Sequence, residues 1–93
     1  MAPPGWHRRS VTIANQRGLH ARAAAKFVKL AGLFDAEISV AKSDQVASGN
    51  SIMGLMMLAA GPGCSLDLSA RGRQAEPAIE ALSRLVENGF DEG

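Results

Sequence analysis

The feature that most constrains this chain is a change of hydrophobic period, repeated several times within 93 residues. Some segments alternate apolar and polar residues, as a strand with one buried face must. Others repeat apolar residues every three to four positions, as a helix with one buried stripe must. Residues 10–14 alternate, with Val11 and Ile13 on one side. Residues 21–31 are alanine-rich and place Ala24, Phe27, Val28 and Ala31 on a helical stripe, with Gly32 beyond the last turn. Residues 36–41 alternate again, Ile38 and Val40 inward against Glu37 and Ser39, and residues 46–48 return as a short antiparallel partner after a turn at 42–45. A second helix is expected from Ile52 to about Ala60, closed by Gly61-Pro62-Gly63, and a strand over residues 65–70 with Leu66 and Leu68 inward. A third helix begins near Pro77, which suits a first turn. It carries Ala78, Ile79, Leu82, Leu85 and Val86 at helical spacing and closes at Asn88-Gly89.

The order is β-α-β-β-α-β-α. One-faced strands with one-striped helices predict a single two-layer α+β domain, an antiparallel sheet covered by helices on one side. Residues 1–7, rich in Pro and Gly, read as a loose lead-in. Such a chain has room for one core and little for a deep substrate cavity. A hydrophobic content of 46% and a charged content of 20% fit an ordinary globular protein, and a net charge of +1 gives no bulk argument for nucleic acid. The single cysteine, Cys64, excludes an internal disulfide and reads as a small strand residue. No apolar run approaches the roughly 18–20 residues that cross a bilayer, and the N-terminus lacks a signal peptide's apolar centre, so the cytoplasm is the expected location. His7 and His20 have no acidic or cysteine cluster around them, so no metal or other cofactor is expected.

The chemistry concentrates at Gly18-Leu19-His20-Ala21-Arg22, where the first loop becomes the first helix. The first turn of a helix has unpaired N–H donors and a partial positive charge, so it attracts anions and phosphate above all. A histidine there is disfavoured as imidazolium and stays a neutral nucleophile. Phosphorylated, it would set its phosphoryl oxygens against backbone N–H groups and the fork of Arg22. On local pattern alone the plainer reading, a polar residue capping the helix, stands ahead, because a lone histidine is weak evidence. Ser51 is likewise a natural N-cap for the second helix. That helix is more apolar than one buried face needs: Leu55 and Leu58 are the core candidates, and some of Ile52, Met53 and Met56 must then stay near the surface, where methionine suits a docking face; the plainer alternative is a well-buried helix. Arg22, Lys26 and Lys29 line one face of the first helix, either solvated or steering an acidic partner.

Gly18-Leu19-His20-Ala21-Arg22-Ala23-Ala24 resembles the phosphorylation-site motif of HPr, the histidine phosphocarrier family of the bacterial phosphoenolpyruvate-dependent phosphotransferase system. Ser48-Gly49-Asn50-Ser51-Ile52-Met53-Gly54-Leu55 resembles that family's regulatory-serine region. Both lie in register within a similarity spanning about residues 7–90. The resemblance implies an open-faced β-sandwich, a four-stranded antiparallel sheet with three helices on one face. It implies His20 as phospho-acceptor through Nδ1, Arg22 as phosphate-stabilising residue, and Ser51 as the target of an HPr kinase/phosphorylase. The implied partners are Enzyme I as donor and a IIA-type protein as acceptor, the chain acting as a monomeric covalent relay and not as a stand-alone enzyme. Ala23 stands where the family usually has proline, which predicts a tuned, looser first turn. Residues 87–92, 34–37 and 55–58 resemble the nitrogen-branch carriers, which favours the nitrogen-related regulatory branch over sugar uptake. Two other classes remain as competitors. One is a nucleic-acid module, disfavoured by the absence of clustered aromatics and of tyrosine. The other is a docking module that transfers nothing.

Overall fold

The computed structural model describes residues 5–92. Four strands, β1 (His7–Thr12), β2 (Glu37–Lys42), β3 (Gln45–Ser48) and β4 (Ser65–Arg71), and three helices, α1 (Ala21–Ala31), α2 (Ile52–Met57) and α3 (Ala75–Glu87), follow the order read from the periodicity, with a short 3-10 turn at Gly89–Asp91. The sheet order is β1-β4-β2-β3 and every pair is antiparallel.

Register explains the two layers. Val11 lies opposite Leu66, Ile38 opposite Ala70, and Val40 between Leu68 and Ala47. Because neighbours across a sheet share a face, these residues form one buried side. Ser10, Thr12, Ser39, Ser48, Ser65 and Ser69 take the alternate positions, and Arg8 pairs with Asp67 at 3.1 Å on that open face. Helix α3 packs over β1 and β4, and α1 packs against α2 and α3. The stripe Ala78, Ile79, Leu82, Leu85 and Val86 is buried as its spacing predicts, and so are Ala24, Phe27 and Ala31 of α1. Burying a side chain such as Phe27 contributes about 2–3 kcal/mol relative to leaving it in water.

Four boundaries depart from the sequence reading. Strand β1 begins at His7, inside the expected lead-in, whose residues 1–4 lie outside the described residues. His7, Arg8 and Arg9 are exposed and pair with Ala70, Ser69 and Leu68 through their backbones, so no side-chain pattern marks them. Helix α2 ends at Met57 and not near Ala60: Ala59 takes φ +52° and Lys42 Nζ donates to the carbonyls of Leu58 (2.9 Å) and Ala59 (3.3 Å). Helix α3 starts at Ala75, which leaves Pro77 within the first turn, where its missing N–H costs nothing. Cys64 precedes β4, its carbonyl accepting from Ile13 N–H at 2.9 Å.

Candidate functional site

His20 is the N-cap of α1, with extended backbone (φ −77°, ψ 178°), and its carbonyl accepts the first helical bond from Ala24 N–H at 2.8 Å. Its side chain makes no capping bond. The N–H groups of Ala21, Arg22 and Ala23 precede that first bond and form the open donor end of the helix. No acidic residue of α1 itself occupies its first turn. Ala23, at the position of the family's usual proline, is fully buried in a regular turn and keeps its N–H.

The loop before His20 is fixed by Gly18. Its φ is +63°, and an added Cβ would lie 2.2 Å from the Ala60 carbonyl oxygen. Only glycine lets the two segments approach so closely, and the same carbonyl accepts from Leu19 N–H at 2.9 Å. The loop after α2 is thereby tied to the loop that presents His20.

Arg22 is exposed, and among the described residues its side chain forms no ion pair or hydrogen bond. The rest of its expected face divides: Lys29 is exposed, but Lys26 Nζ donates to the Phe90 carbonyl at 2.8 Å, so it anchors the C-terminal segment. Ser51 is the N-cap of α2, its Oγ accepting from Gly54 N–H at 3.0 Å. Leu55 and Leu58 are buried, while Ile52 and Met56 are 42% exposed and Met53 is 73% exposed. The patch extends further than expected, to Met57 and to Val46 of β3.

Two residues escaped the sequence reading. Glu92 Oε2 meets His20 Nε2, and Glu92 Oε1 accepts from Asn15 Nδ2 at 2.9 Å. The same amide donates to the Gly18 carbonyl at 2.9 Å. Asn15 is 6% exposed, while the His20 and Glu92 side chains keep 14% and 23% of their surface, so the clamp is rooted in the interior and open to water at its outer edge. The Asn15 bond, foremost, and then the bond to His20 hold the Glu92 carboxyl below its ordinary range. Partial burial opposes this, and the charges of His20 and Arg17 reinforce it. Beside the clamp lies a cavity of about 620 Å³ lined by Asn15, Arg17, Glu87, Asn88 and Glu92 among others, and His20 does not line it.

A family model described as the PTS HPr component phosphorylation site matches residues 7–88. The chain is 50% identical over 86 residues to the phosphocarrier protein HPr of Pseudomonas putida, covering 91% of this chain and 96% of that protein. It is 46% identical over 84 residues to the phosphocarrier protein NPr of Shewanella violacea, covering 90% and 92%. The crystal structure of HPr-C-His from Thermoanaerobacter tengcongensis superposes with a TM-score of 0.88 at 41% identity, covering 94% of this chain and 98% of that one. Among the described residues, no helix is long and apolar enough to cross a membrane.

Proposed function

This chain belongs to the HPr family of phosphotransferase-system phosphocarriers, and we propose that it carries the phosphoryl group on His20, taking it from Enzyme I and passing it to a histidine of a IIA-type protein. The observation that carries this reading is the place of His20: an N-cap whose side chain caps nothing, set at three open N–H donors. Phosphoryl transfer asks the protein for positioning and charge stabilisation and little else. Arg22, exposed two residues on, supplies a fork for the phosphoryl oxygens. Ile52, Met53 and Met56 form the docking patch, where unbranched methionine side chains adapt to successive partners. The chain acts as a single HPr-like domain, monomeric and cytoplasmic. Ser51, already a cap, is the regulatory phosphorylation site: a phosphate there suits the helix end and places charge on the docking surface.

We place the carrier in the nitrogen-related branch, on the strength of residues 34–37, 55–58 and 87–92. In the test, purified protein is charged by Enzyme I, phosphoenolpyruvate and Mg²⁺, then offered nitrogen-branch and sugar-branch IIA acceptors side by side. An acid-labile phosphoryl group absent from His20→Ala, passed faster to the nitrogen-branch acceptor, is the expected result. Faster transfer to the sugar-branch acceptor would move the chain to uptake. No charging at all by an active Enzyme I would leave a docking module.

A further inference from the structure

The C-terminal segment closes on the candidate acceptor in a way the carrier reading does not require. After α3, Gly89, Phe90 and Asp91 all take positive φ, at 64°, 57° and 60°. Two of these are not glycine, so the conformation persists only because its surroundings impose it. Phe90 is completely buried, its carbonyl holds Lys26 Nζ, and Glu92 N–H donates to the Gly89 carbonyl at 3.1 Å. The result sets the Glu92 carboxylate between Asn15 Nδ2 and His20 Nε2.

We propose that Glu92 is a positioning residue for phosphoryl transfer, accepting the Nε2–H of His20 so that Nδ1 keeps its lone pair as the nucleophile. The inference rests on His20 being the acceptor. An ionised carboxylate has no proton to give, so the proton of this contact belongs to Nε2. In a neutral ring the lone pair then belongs to Nδ1. Asn15 fixes the second oxygen, which holds the carboxylate and through it the plane of the ring. During transfer the Nδ1 lone pair forms a bond to phosphorus as the bond from phosphorus to the donor's carrying atom breaks, and that electron pair returns to the donor. No proton moves. The ring of His20 gains positive charge with Nε2–H in place, and Glu92 lies at the edge where it balances that charge. A carboxylate that orients a histidine and stabilises its cationic form at the opposite nitrogen is an established device.

The test compares wild type with Glu92→Gln, which keeps size and hydrogen bonding to Asn15 but loses the charge. Three measurements are made: rapid-quench phosphorylation by charged Enzyme I, the equilibrium between the two phosphorylated proteins, and the imidazole N–H proton of His20 by NMR. The expected result is acceptance slowed roughly tenfold, the equivalent of one charge-assisted hydrogen bond partly open to water. The equilibrium should shift by a similar factor towards phosphorylated Enzyme I, and a downfield Nε2–H resonance in wild type should move upfield in the variant. Thermal stability should fall slightly at neutral pH, by too little to account for the slowing. Wild-type rate and equilibrium in the variant would overturn the proposal, as would a slowing that only tracks lost stability. A wild type that is never phosphorylated on His20 would instead overturn the site assignment beneath it.

Discussion

Replacing Gly18 with alanine tests how the fold presents His20. The methyl group would stand 2.2 Å from the Ala60 carbonyl oxygen and 2.8 Å from Gly61 Cα, both backbone atoms that no rotamer change can move aside. The φ of +63° adds a left-handed penalty of about 1–2 kcal/mol for a residue with a Cβ. Relieving the clash separates the segments and lengthens the bond from Leu19 N–H to Ala60, at a cost of about 1–3 kcal/mol if the buried donor is left unmet. Together these come to about 2–5 kcal/mol, a fall in Tm of roughly 10–25 °C for a domain of this length. Thermal unfolding followed by circular dichroism measures it, with Gly61→Ala as the matched control. A Cβ at Gly61 meets nothing within 4 Å and its φ is ordinary, so that variant should stay within about 0.5 kcal/mol of wild type. If Gly18→Ala also unfolds within about 3 °C of wild type, well under 1 kcal/mol, the close approach does not constrain this loop and the argument fails.

Ser51→Ala removes the cap on Gly54 N–H and should cost about 1 kcal/mol, with faster amide exchange confined to α2; unchanged exchange there would contradict the capping role. Phe90→Ala empties a fully buried site and should cost about 3–5 kcal/mol in denaturant unfolding. Its charging by Enzyme I should also slow to the level of Glu92→Gln, because the strap is then unanchored. The Glu92 carboxyl titrates below its ordinary 4.5, chiefly because of Asn15, so its contribution is complete above that value and is lost as the pH falls through the folded-state value. The Tm difference between wild type and Glu92→Gln should therefore narrow in acid; a difference independent of pH would show that the carboxylate is not engaged.

What was legible in the chain follows from the range of the signal. Periodicity is local, so the stripe of α3 and the alternation of β4 could be read directly, and the motif around His20 marked its own helix end. The end of α2 was not readable, because Leu58-Ala59-Ala60 continues an apolar run that suits a helix. The turn there is set by Lys42, which reaches across from β2. The exposed apolar patch was legible in outline because six of the seven residues from 52 to 58 are apolar and a six-residue helix cannot bury them all. The Asn15–Glu92 clamp was hidden for a different reason: its partners stand 77 positions apart, and no local pattern links the glutamate to the loop that presents His20. Only the folding of Phe90 into the core brings it to His20.

The central claim, that the phosphoryl group rides on His20, is tested most directly by locating it. Protein charged by Enzyme I and phosphoenolpyruvate would be digested cold at neutral pH, and the peptides sequenced by mass spectrometry. The account predicts one phosphoryl group, on His20 and absent from Ser51 and His7. A phosphoryl group on any other residue, or an unmodified chain beside a charged control carrier, would contradict it.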